Sequence, residues 1–245
     1  MAKFRTKKQE LERLIMPPLW PEDAERIPSA TLDAIGGGSV SPLIALLPRG
    51  GLLMWRAAVL AGLVVAKTAE DQMDVARVVM RRLIWHLNED SGNMGWGIPQ
   101  TFGEILARSP KLAAEYGRIA LSYVRNTGFA DNYIDHGALR RGAYWAIGRF
   151  APLYPAYREE GKELLINGLE DEDPQCRGIA AWGIGEFAAK GLLENEKQPI
   201  LAGLIEKELD NREECEILEE LRCYSEPAAF FARQALNRLM VSPSG

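Results

Sequence analysis

The chain has 245 residues, 47% hydrophobic and 26% charged, a balance that suits an ordered globular protein and excludes intrinsic disorder. Its net charge of −5 is unevenly spread: residues 1–151 hold 19 Lys and Arg against 15 Asp and Glu, whereas residues 152–245 hold 10 against 19. So acidic a C-terminal half offers no basic track to displace counterions, which argues against nucleic acid and suits a basic protein partner.

The N-terminal MAKFRTKKQELERLIM is basic but lacks a continuous apolar run followed by a small-residue cleavage site, so it does not read as a secretory leader. Residues 1–50 are expected to form a degenerate cap, with short helices near 22–35 and 41–48 broken by the glycines at 36–38. From 51 to 240 apolar residues recur at helical spacing in about five pairs. These are 54–67/70–88, 97–108/111–126, 138–151/156–169, 174–189/195–209 and 211–223/226–240. The most apolar window, GLLMWRAAVLAGLVVA at 51–66, is short for a bilayer and carries Arg56, so it reads as a buried helix and no membrane association is expected. Three cysteines without a CxxC pair point to a reducing cytoplasm. Cys215 and Cys223, eight apart, would share one face of the helix expected at 211–223.

The third and fourth pairs repeat one another. A shift of 37 carries Arg140 onto Arg177, Trp145 onto Trp182, Ile147 onto Ile184, Gly148 onto Gly185, Phe150 onto Phe187 and Ala151 onto Ala188. Gly103-Glu104 begins a partial third copy of Gly185-Glu186. In DPQCRGIAAWGIGEFAA, Asp173 is placed to cap a helix and Pro174 falls where its missing N–H costs nothing. Ala180, Ile184 and Phe187 then form an inward stripe, and the repeated arginines read as a ladder to preceding loop carbonyls or acids. Such pairs cannot bury their apolar faces alone, so they are expected to stack. The fold class expected is all-α, a right-handed α-α superhelix of the HEAT/armadillo-like solenoid kind, with residues 1–245 as one solenoid domain.

The pattern D-P-x-x-R-x-x-A-x-x-x-I-G that begins at Asp173 resembles the first helix of a HEAT repeat of the kind also found in phycobilisome-lyase-like proteins. A second likeness lies in Trp85, Leu87, Asn88, Glu89, Asp90, Ser91 and Gly92, leading into Gly95-Trp96-Gly97 and Gly103-Glu104-Ile105. With LMWRAA at 53–58 and RRGAYWAIGRFA, these segments resemble a bacterial group of HEAT-repeat proteins from about residue 40 onward. The resemblance implies an all-helical superhelix and a cytoplasmic location; it implies no particular activity.

Polar chemistry concentrates between the first two full pairs, in WHLNEDSGNMGWGIPQTFGEI at 85–105. Its glycines suit a tight reversal and Pro99 suits the opening turn of a helix, so a corner between repeats accounts for much of the composition. The functional reading makes His86, Asn88, Glu89, Asp90, Trp96 and Glu104 ligand-binding candidates, an aromatic among carboxylates being a grip for a cationic or peptide ligand. Asp135 and His136, which hold the second of the two histidines, join them from the start of a later pair, although Asp135 also suits a helix N-cap. No HxxxH or HxxE spacing sets two ligands on one helix face, so neither a metal site nor a cofactor is expected.

These features point to a non-enzymatic HEAT-repeat scaffold that binds a protein or peptide in its concave groove, lined by the second helices of each pair. The alternative is an enzyme or chromophore-handling protein in the manner of the bilin lyases, using His86, Glu89, Asp90, Glu104, Asp135 and His136; the sequence leaves catalysis open.

Overall fold

The computed structural model describes residues 9, 12, 15, 40–88, 95–128, 132–194, 198–219 and 222–240. The cap helix expected at 22–35, the glycines at 36–38 and the link residues Glu89 and Asp90 lie outside the described residues. Packing divides the chain into two compact units, residues 1–116 with 218–223, and residues 117–217 with 224–245.

The first unit is built around one helix. Its elements are α1 (Val40–Ile44), a 3-10 turn (Leu47–Arg49), α2 (Gly51–Asp71), α3 (Met73–Asn88), α4 (Ile98–Arg108) and the first part of α5 (Pro110–Ser122). Five successive residues of α2, Ala57 to Leu60 and then Ala61, have no exposed surface, so this helix is enclosed on every side. Packed around it are α1, α3 and α4. At 21 residues α2 outruns the apolar window and is long and apolar enough to cross a membrane by length and composition, yet 72% of its apolar stretch is buried within the protein. Arg56, only 6% exposed, donates from Nη1 to the carbonyl of the buried Ile15 at 2.8 Å, and desolvation draws its guanidinium pKa below the usual value. That bond fixes a point of the N-terminal segment to the core helix.

The second unit contains the rest of α5, α6 (Gly137–Phe150), a 3-10 turn (Ala151–Leu153), α7 (Pro155–Gly168), α8 (Pro174–Ala189), α9 (Gln198–Glu206) and α10 (Ala228–Met240). Between α9 and α10 in the chain runs a two-stranded sheet, β1 (Glu214–Glu219) and β2 (Arg222–Pro227), of which residues 218–219 and 222–223 group with the first unit. This corrects the helix expected at 211–223. Cys215 and Ile217 are buried and alternate with exposed glutamates, which is strand periodicity. Cys223 therefore stands on the opposite strand from Cys215, not one face of a shared helix. Hydrogen bonds from Ala228 N to Glu213 O (2.8 Å) and Ala229 N to Asn211 O (2.9 Å) bind the start of α10 beside the start of β1.

At the centre of this unit lies α8, against α6, α7 and α10. Asp173 caps it as expected, its side chain accepting from the N–H groups of Gln175 and Cys176. Buried side chains surround α8 instead of forming the single stripe the sequence suggested: Ile179, Ala181 and Trp182 are as enclosed as Ala180, Ile184 and Phe187. The repeated tryptophans stack in parallel, Trp145 and Trp182 having ring centroids 6.1 Å apart and planes 7° from parallel. The approach requires a glycine: a Cβ on Gly148 would fall 2.8 Å from the Gly183 Cα and 2.8 Å from Trp182.

The 37-residue period is written into the hydrogen bonds. Arg140 donates from Nη1 to the carbonyls of Ile134 (2.9 Å) and Asp135 (2.7 Å), and from Nε and Nη2 to the Asp171 carboxylate at 2.7 Å each. One repeat later Arg177 donates from Nη1 to the carbonyls of Asp171 (3.0 Å) and Glu172 (3.5 Å), and from Nε to Glu208 at 2.9 Å. Each of these partners of Arg177 lies 37 positions beyond its counterpart at Arg140. The Arg140 side chain has no exposed surface and that of Asp171 is 2% exposed, and their hydrogen bond raises the arginine pKa above its ordinary value. Removing one member of a buried pair strands the other charge, at about 3–5 kcal/mol. Arg140→Met should therefore lower unfolding stability in urea by about that much. Arg177→Met should cost less, because Arg177 keeps 27% exposure and the 6% exposed Glu208 retains its bond from Asn211 Nδ2 at 2.6 Å; equal losses would show that the ladder's burial is not what matters.

Candidate functional site

The 85–105 stretch resolves into a helix end, a corner and a new helix. His86 is half-buried near the end of α3, its ring edge-on to Trp85 with centroids 5.3 Å apart, and Asn88 is the exposed last residue of the helix. The returning chain presses Gly95 on that helix end: a Cβ there would lie 3.0 Å from the His86 carbonyl oxygen and 3.0 Å from Leu87 Cδ2. Half-buried Trp96 follows. Gly97 is left-handed, φ 72°, and a Cβ on it would meet Met54 Cγ at 2.8 Å and Leu47 Cβ at 2.9 Å. Only glycine satisfies both demands. The Gly97 carbonyl accepts from Thr101 N (3.0 Å) and Oγ1 (2.8 Å), opening α4 with Pro99 in its first turn.

Glu104 faces inward. It is 1% exposed, and its carboxylate pairs with Arg108 one turn along. The Arg108 Nη1 also reaches the Glu104 carbonyl at 3.2 Å. Glu104 is packed where α2 and α4 touch, so close that a Cβ on Gly62 would lie 2.8 Å from its own Cβ. The other two candidates belong to the second unit. His136 occupies the N-cap position of α6 for which Asp135 was the alternative reading; its carbonyl accepts from Leu139 N and Arg140 N, both at 3.0 Å, and its side chain makes no capping bond. Asp135 is exposed and contributes its backbone carbonyl to Arg140. Thus His86, Asn88, Trp96 and Glu104 share the first unit, Asp135 and His136 the second, and Glu89 and Asp90 are outside the described residues.

Among the described residues no group of three or more His, Cys, Asp and Glu is placed to hold a metal ion. Burial pushes the Cys215 thiol up to about 12 and raises that of Cys176 as well, so neither is poised as a thiolate.

A cavity with no direct sign in the sequence opens in the second unit, between α7 and α9. It encloses about 290 Å³ and is lined by Ile166, Leu193, Ile200, Leu201 and Leu204, with Glu159, Glu163 and Glu194 among its polar residues. Lys162 is bound to Glu159 at 2.8 Å, which leaves the lining acidic on balance. The floor exists because α9 turns only part of its apolar surface inward: Leu201 and Ile205 are buried, Leu204 is half-buried, and Ile200 is 72% exposed. Ile200 adjoins the inward Leu201 in QPIL, out of step with the Leu201, Leu204 and Ile205 stripe, and that was the available signal.

No protein-family model matches the sequence, and no curated protein matches it. Solved structures do match. The crystal structure of an engineered protein superposes with a TM-score of 0.53 at 13% identity, covering 97% of this chain and 92% of that one. A designed armadillo repeat protein in complex with the peptide (KR)4 gives 0.52 at 16% identity, covering 95% and 91%. At such identities the likeness shows the fold alone, an all-α helical repeat of the HEAT/armadillo kind.

The corner at Gly97 supplies a test of its structural demand. Gly97→Ala should destabilise the protein by roughly 1–3 kcal/mol, from a strained φ together with overpacking against Leu47 and Met54. Thermal melting followed by circular dichroism measures it; an unchanged midpoint would mean that the corner tolerates a side chain.

Proposed function

We propose that the protein is a helical-repeat scaffold that binds a protein or peptide segment through the outward surfaces of its second helices. The observation that carries this reading is the α7/α9 cavity, whose apolar floor and glutamate rim suit one apolar side chain flanked by lysine or arginine. At about 290 Å³ the space is at the small end for a drug-sized ligand and ample for a side-chain anchor. The acidic balance of residues 152–245 favours the approach of a basic segment over an acidic one. The designed armadillo repeat protein in complex with (KR)4 supports a basic peptide as the kind of partner. The phycobilisome-lyase-like HEAT assignment belongs to this proposal too, supported by Asp173 as cap, Pro174 in the first turn and Arg177 reaching back to the preceding link. So does a single 1–245 repeat array, which the 37-residue ladder supports. So does a cytoplasmic location, supported by three cysteines without a CxxC pair.

The test is fluorescence anisotropy with a labelled Lys-Arg-Leu-Lys-Arg peptide. Ile200→Asp and Glu163→Lys change exposed side chains and should leave the fold intact. Each should weaken binding roughly tenfold, about 1.4 kcal/mol. The glutamate variant should also flatten the salt dependence. Equal affinity in both variants would remove the cavity from the proposal.

A further inference from the structure

We infer that the outward face of α3 is a second docking surface, shaped for an acidic amphipathic segment of a protein partner. α3 already buries a complete apolar face, with Ala76, Met80 and Leu83 enclosed in the first unit. A helix so placed ordinarily turns polar residues to solvent. This one does not. Val78 is 56% exposed and Trp85 is 55% exposed. Seven residues apart, they lie on one line along the helix, about 10 Å from each other. Val75, 46% exposed, borders the same face. An exposed tryptophan aligned with aliphatic side chains has the composition of an interface core.

The charges around that line select the partner's sign. Arg81 and Arg82 are both exposed and flank it on opposite sides. Arg82 reaches the hydroxyl of Ser41 at 2.6 Å, a neutral acceptor that does not compensate its charge. Among the described residues the acidic groups near this helix sit at its start: Asp71 closes α2 and Asp74 lies in the first turn of α3, while Glu89 and Asp90, which follow Asn88 in the sequence, lie outside the described residues. Asp74 is held by Arg77 Nη1 at 2.8 Å, and Arg77 also donates to Glu115 from Nε and Nη2 at 2.9 and 2.6 Å. Among the described residues the middle and end of the face are therefore basic where they are apolar. Carboxylates flanking a leucine or phenylalanine stripe would meet Arg81 and Arg82 while the stripe covers Val78 and Trp85. The aliphatic members favour a peptide helix over a nucleic acid, which would use the arginines and the indole but gain nothing from the valines.

The surface is tested with a labelled amphipathic helical peptide carrying Leu at i, i+4 and i+7 with Glu at the flanking positions, and with its Glu-to-Lys counterpart. The Glu peptide should bind with a shift in tryptophan emission, and the Lys peptide at least tenfold more weakly. Trp85→Ala and the double substitution R81E/R82E, all at exposed positions, should each cost tenfold or more. Binding of the Lys-Arg-Leu-Lys-Arg peptide to the α7/α9 cavity should be unchanged in both, so either proposal can fail without the other. No binding of the Glu peptide, or binding indifferent to Trp85→Ala, would overturn the inference. Tight, salt-sensitive binding of single-stranded DNA lost in R81E/R82E would replace it with a nucleic-acid surface. A concentration-dependent dimer abolished by Trp85→Ala would replace it with self-association.

Discussion

Arg140 is a cation with no contact with water, and the second unit is arranged to make that tolerable. A buried guanidinium needs a counter-ion and an acceptor for each N–H it presents. Asp171 supplies the two-pronged carboxylate, Ile134 and Asp135 supply carbonyls, and Glu172 adds a further acceptor at 3.3 Å. Tyr144 donates its hydroxyl to the same Asp171 carboxylate at 3.1 Å. Two links, the one before α6 and the one before α8, are thus held from inside by one side chain. The device then passes along the chain, because the backbone carbonyl of Asp171 is the acceptor for Arg177. Glu208 receives Arg177 and in turn accepts from Asn211 Nδ2 at 2.6 Å, while Asn211 donates to the Pro174 carbonyl at 2.8 Å. Segments that would otherwise be loops become rungs.

With the links fixed, the helices approach as closely as small residues allow. Gly148 against Gly183 and Gly178 against Ala228 permit α8 to sit amid α6 and α10 with almost no polar surface. The glycines cost helix propensity, and the dispersion attraction between closely packed helices offsets it. Because α8 takes the interior, α7 and α9 are left at the edge with their outer surfaces uncovered. The cavity between them is the remainder left by that packing, and its acidic character comes from the glutamates on its rim.

Much of the repeat was legible because identical side chains meet identical obligations 37 residues apart: Arg, Trp and Gly at corresponding positions do corresponding jobs. The hairpin was not. Its segment is rich in Glu and Leu, which favour helix, and the alternation of Cys215 and Ile217 spans too few residues to outweigh composition. What decides it is tertiary, the bonding of Asn211 and Glu213 carbonyls to the start of α10. At the candidate site the corner was readable, since Gly97 and Pro99 have few other uses. The burial of Glu104 was half-readable: Arg108 stands four residues on, the spacing of a helical ion pair, but nothing in the sequence says that α2 closes over it. Trp85 shows the limit from the other side: its place on α3 does not say whether neighbouring helices cover it, and they leave it 55% exposed.

The arginines show where sequence reasoning stops and packing takes over. Arg140 and Arg177 lie in the first helix of a pair, inside the repeat frame, where their partners recur with them. Arg81 and Arg82 lie in a second helix, outside that frame, and have no such partners among the described residues. The same side chain is therefore structural in one setting and available in the other. What separates them is whether a carboxylate is supplied 31 residues later, as Asp171 and Glu208 are. A charge that the fold satisfies internally stabilises it; a charge that the fold leaves beside an exposed indole is able to act on something else. By that criterion the ladder belongs to the architecture, and the outward face of α3 and the α7/α9 cavity, opposite in sign among the described residues, are the surfaces proposed for recognition.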